Sequence, residues 1–111
     1  MIHIIRTQAT PEQLSEMLAA LETYIKLAVD IRKNIVAGGG VMHADCEAVL
    51  LEAGSQQEDI WGADWNPAAE QVTFESLINI RPRQKNPALE ILDPAIRGRV
   101  AEIVEKLLGE T

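Results

Sequence analysis

The chain has one cysteine, four aromatic side chains, two histidines and no long apolar run in 111 residues. With Cys46 alone, neither an internal disulfide nor a cysteine-rich zinc site can form, so stability must come from packing. No apolar stretch approaches the roughly 20 residues that span a bilayer. The opening Met1-Ile2-His3-Ile4-Ile5-Arg6 does not read as a targeting leader. A cytoplasmic location is therefore expected.

Positive charge is also scarce. Ten Lys and Arg residues face 17 Asp and Glu residues, for a net charge of −7. Such a surface repels nucleic acid and anionic lipid at long range, so neither is expected as a partner. The deficit is uneven. Residues 1–78 balance to −8, whereas residues 79–99 balance to +3. That basic stretch can hold one small anion.

What is present suits one globular domain covering residues 1–111. Apolar residues make up 47% and charged residues 24%, close to ordinary globular usage. Residues 2–5 suit a brief strand. Thr10-Pro11-Glu12-Gln13 then carries a helix start: a capping Thr, a Pro at the first position and a Gln completing the capping box. Leu14, Met17, Leu18 and Leu21 extend a stripe that predicts a helix over 11–23.

The period next shortens to two. Ile25, Leu27, Val29 and Ile31 alternate with Lys26, Ala28, Asp30 and Arg32, as in a half-buried strand. Residues 32–34 can turn the chain into a returning strand at 35–37, which Gly38-Gly39-Gly40 ends. A second helix is predicted over 44–53, with Cys46, Val49 and Leu50 on its inner face. Trp61, Ala63 and Trp65 mark a strand broken at Asn66-Pro67, and a further strand follows over 72–80 with an irregularity at Ser76-Leu77. A polar loop covers 81–88, and Asp93-Pro94 opens a last helix that Gly109 closes. The order is β-α-β-β-α-β-β-α. It predicts an α+β fold with a mostly antiparallel sheet, hairpins rather than crossovers, and helices packed on one face.

Three segments can carry chemistry. Gly38, Gly39 and Gly40 precede a helix start, where backbone N–H groups and the helix dipole favour an anion. The P-loop Lys and Ser/Thr are absent, and a structural turn is the favoured reading of the glycines over a ligand loop. His43, Asp45, Cys46 and Glu47 crowd the start of the second helix. His43 can serve as a base and Cys46 as a thiol nucleophile, but Cys46 also sits on the apolar stripe, where it reads as core. His43, Asp45 and Glu47 offer mixed nitrogen and oxygen ligands at no recognised metal spacing, so neither a metal nor a cofactor is expected. Asn79, Arg81 and Arg83 lie in a Pro-stiffened basic loop suited to a carboxylate or phosphate, or simply to pairing with the acidic half of the chain. Trp61 and Trp65 read as core or interface before ligand platform.

The stretches His43–Glu52, Gln57–Gly62, Leu77–Pro82 and Asp93–Arg97 together resemble a family of small, mainly prokaryotic proteins known as a domain of unknown function. The resemblance runs from about Ile25 to Leu108 and implies no activity or site residue. The residues themselves favour a binding or assembly protein, homo-oligomeric and with a small-anion site. The alternative is a small hydrolase that uses the His43–Glu47 segment with Asp59 and Arg81. A shared cleft for His43, Asp59 and Arg81 is the arrangement that alternative requires.

Overall fold

A computed structural model describes residues 1–109. The α+β fold and the element order are those expected: β1 (His3–Ile5), α1 (Pro11–Leu18), β2 (Ile25–Asp30), β3 (Ile35–Gly40), α2 (His43–Glu52), β4 (Ile60–Asn66), β5 (Gln71–Thr73) and α3 (Pro94–Leu108). The strands form one antiparallel sheet in the order β1-β3-β2-β4-β5.

The helices do not share one face. Met17 of α1 and Val100, Ile103, Val104 and Leu107 of α3 pack on Ile25, Leu27, Val29, Val36 and the two tryptophans. Cys46 and Leu50 of α2 pack on the opposite face, against Ala28, Ile35, Ala37 and Ile60. Topology supplies the reason. β1 reaches β2 through α1 by stepping over β3, and β3 reaches β4 through α2 by stepping over β2. Both crossovers run in the same direction across the sheet, but they start from antiparallel strands. Two crossovers of the same hand must then place their helices on opposite faces. Hairpins join β2 to β3 and β4 to β5 as expected, whereas the other two connections are helical crossovers. The small residues Ala28 and Ala37, in register with each other, give α2 room to approach.

Local differences have local causes. α1 stops at Leu18 rather than near residue 23, because the chain turns through Glu22, at φ +70°, to enter β2. The glycine run is strand, not turn: Gly38 pairs with His3 and Leu27, and Gly40 with Lys26. Gly39 holds φ +106° and lies against Met1 and Met17, where a β-carbon has no room. β5 ends at Thr73, after which the chain leaves the sheet through two 3-10 turns, Leu77–Asn79 and Pro82–Gln84. Trp61 and Trp65 are 1% and 2% exposed, so they are core and not an interface. Among the described residues, no helix is long and apolar enough to cross a membrane.

Candidate functional site

Two charged or polar side-chain contacts, one a hydrogen bond and one an ion pair, sit one helical turn apart on α2. His43, in the first turn, directs Nε2 at Asp64 Oδ1 (2.7 Å) and at the Ala63 carbonyl (3.1 Å), both on β4. Two oxygen acceptors around one ring nitrogen require that Nε2 carry a hydrogen. Glu47, four residues on, accepts from Arg81 Nη2 at 3.3 Å. Their side chains are 13% and 9% exposed, so this pair is largely withdrawn from water.

Arg81 is the better connected partner. Its Nε donates to the Ile78 carbonyl (2.9 Å), and its Nη1 to the Gln57 carbonyl (2.7 Å) and Gln84 Oε1 (3.3 Å). The guanidinium also lies 4.9 Å from the Trp61 ring centre, a cation–π distance. Burial draws the Arg81 pKa below its ordinary value, and the Glu47 charge acts in the opposite direction. Arg81 thus ties α2, the 3-10 turn Gln57–Asp59, β4 and the 77–84 segment to one another.

A cavity of about 540 Å³ opens beside this clamp. Leu77, Ile78, Ile80 and Pro82 give it an apolar wall, and Glu47, Arg81 and Arg83 give it a charged end. Arg83 is exposed and has no side-chain partner among the described residues. The charge inside is therefore a neutralised pair plus one available cation.

The remaining sequence candidates lie elsewhere. Asp45 is exposed in the first turn of α2, where its charge suits the helix dipole. Asp59 is half-buried, and its backbone carbonyl accepts from Ile31. Neither His43 nor Asp59 borders the cavity at Arg81, so the three do not share that cleft. Asn79 is buried, and its amide faces Gly62, Phe74 and Leu89 rather than a ligand space. Gly38, Gly39 and Gly40 are buried in β3 and contribute nothing to the cavity.

Cys46 is fully buried. Its Sγ approaches the Lys26 carbonyl at 3.5 Å, and burial pushes the thiol pKa up, against a lowering backbone hydrogen bond at Gly40. A raised thiol is a poor nucleophile, which agrees with its reading as core. Sequence reasoning missed Asp64 as the partner of His43. The signal was available, because Asp64 lies opposite the Trp61–Ala63–Trp65 stripe and so faces α2.

A family model described as "Protein of unknown function (DUF5674)" matches residues 3–107. The chain belongs to that family. No curated protein and no solved structure matches it.

Proposed function

We propose that this DUF5674 protein is a binding module for a small amphiphilic anion, seated in the cavity beside Arg81. One observation carries the reading: an apolar wall of Leu77, Ile78, Ile80 and Pro82 meets an Arg83 with no side-chain partner among the described residues, in one concave space. Its size falls within the range of about 300–1,000 Å³ usual for small-molecule pockets. Arg81 is not the main ligand contact, since four of its five N–H donors already serve the protein. It fixes the wall, and Arg83 supplies the charge.

The probes are benzoate and hexanoate, with benzamide and hexanamide as neutral counterparts. Backbone resonances of residues 77–84 should shift with the acids, and the amides should bind at least five-fold more weakly. Arg83→Gln should erase that difference. Equal binding of acids and amides, or shifts confined to other residues, would remove the anion from this pocket.

A second reading, self-association, is favoured by exposed apolar side chains along residues 77–92. Leu77 is 69% exposed and Leu92 is 51% exposed, and Ile80 and Leu89 are also open to solvent. Four exposed aliphatic side chains within sixteen residues of irregular chain suit a partner surface. Sedimentation at micromolar concentration should show a dimer that Leu77→Ser weakens at least ten-fold. A wild-type chain that sediments as a monomer ends this reading and leaves the ligand test untouched.

The hydrolase alternative gains nothing from the geometry. His43 is engaged with Asp64 and Ala63, the thiol of Cys46 is buried, and Asp59 stands apart from the cavity.

A further inference from the structure

A second group of basic side chains lies away from Arg81. A second cavity, of about 670 Å³, opens between the end of β1, the β2–β3 turn and α3. Arg6, Lys33, Arg99 and Lys106 line it, with Glu102 as the only acidic lining residue among the described residues. Four of the ten basic residues of a chain with net charge −7 therefore converge on one concavity.

We propose that this cleft binds a small phosphorylated ligand. Arg99 is held ready: Nη2 donates to Asn34 Oδ1, and Nη1 lies 3.6 Å from Glu102 Oε1. Asn34 reaches it from a left-handed turn position at φ +61°. Arg6, Lys33 and Lys106 have no ion-pair partner among the described residues. A helix C-terminus accounts for Lys106 by itself, because a cation there suits the dipole. It does not account for Arg6 and Lys33 arriving from two other segments.

Cations gathered this way repel one another until an anion enters, and concave walls focus their field. A doubly charged phosphoryl group answers that surplus better than a single carboxylate. Guanidinium groups also match phosphate oxygens in two-point contact. The floor is apolar, with buried Ile103 and Leu107, and the space exceeds what a bare phosphate fills. The ligand class is therefore a phosphoryl group on a small organic body. The net charge of −7 opposes approach to an anionic bilayer, so a free ligand is favoured over a lipid headgroup.

The test uses the full chain and pyrophosphate, with calorimetry and thermal shift at matched ionic strength. Pyrophosphate should raise the melting temperature above the chloride control, and acetate should not. Arg6→Gln and Lys106→Gln, both at exposed positions, should each weaken pyrophosphate binding at least three-fold. Lys85→Gln removes the same charge outside the cleft and should stay within two-fold. Co-sedimentation with phosphatidylserine vesicles, lost in both cleft variants, would keep the phosphoryl chemistry and assign it to a lipid headgroup. No shift with pyrophosphate, or a shift that survives both cleft variants, overturns the proposal. Neither result bears on the benzoate and hexanoate test at Arg83.

Discussion

Asn79→Ala is expected to remove about 3–5 kcal/mol of stability, the largest loss from any single polar side chain here. Asn79 is 0% exposed, and its amide is used at both ends. Oδ1 accepts from Gly62 N at 2.8 Å, and Nδ2 donates to Gly62 O at 3.0 Å. That pair of bonds copies what a neighbouring strand would give, at a place where β4 has none. β5 pairs with β4 only from Asp64 to Asn66, leaving Gly62 on an open edge. The same Nδ2 also spreads its hydrogens over the carbonyls of Phe74 and Leu89, at 3.1 Å each.

Truncation strands one N–H and several carbonyls in the interior. Each buried group left unpaired costs about 1–3 kcal/mol, and partial relaxation keeps the total below the simple sum. Gly62 belongs to the same device. A β-carbon there would stand 2.6 Å from Ser76 Oγ and 2.9 Å from Ile78 Cγ1, so the 76–79 segment could not close on the strand. Urea unfolding should show the Asn79→Ala midpoint falling with little change in slope. Asn79→Asp should be at least as damaging, because it keeps an acceptor for Gly62 N but sets a carboxylate against three carbonyls. A loss under about 1 kcal/mol in the alanine variant would mean that the edge of β4 is held some other way.

Features written in adjacent residues were readable from the chain, and features assembled at a distance were not. Thr10 and Gln13 form their reciprocal cap, with Gln13 N to Thr10 Oγ1 at 3.1 Å and Thr10 N to Gln13 Oε1 at 2.9 Å. Asp93 Oδ1 caps α3 by accepting from Ala95 N at 2.8 Å. Both motifs depend on neighbours within three residues. The face on which α2 lies depends on the direction of β3 relative to β1, which no local pattern records. Gly38–Gly40 read as a turn because glycine usually marks one, yet close packing against α1 and the N-terminus demands it within a strand.

Asn79 looked like a ligand-facing amide because its real partner, Gly62, lies 17 positions away on an edge that had to be known first. The charged sites show the same distance effect. Glu47 and Arg81 are 34 positions apart, and counting charge along the chain pointed to residues 79–99 as the basic region. Folding instead gathers Arg6, Lys33 and Lys106 around Arg99, the only one of the four from that window.

Arg81 decides between a structural clamp and a ligand receptor, and the two roles give opposite results. As a clamp, it serves the Ile78 and Gln57 carbonyls, Gln84 and Glu47 together while lying on Trp61. Arg81→Ala should then lower stability by about 2–4 kcal/mol, toward the lower end of what breaking a buried pair removes, since both side chains keep some exposure. Arg81→Lys should recover less than half of that loss. An ammonium group is a compact charge and cannot span carbonyl acceptors on two segments as well as a carboxylate.

Glu47→Gln should be the mildest of the three, at about 1 kcal/mol, because a glutamine oxygen still accepts from Nη2. Trp61 fluorescence provides an independent readout, since its ring loses the overlying guanidinium in both Arg81 variants but not in Glu47→Gln. The receptor account predicts another pattern: Arg81→Ala would abolish binding of benzoate and hexanoate while changing stability by less than about 0.5 kcal/mol, the range of an ordinary surface substitution. That outcome would move the anion contact from Arg83 to Arg81. The clamp account requires the stability order Glu47→Gln above Arg81→Lys above Arg81→Ala.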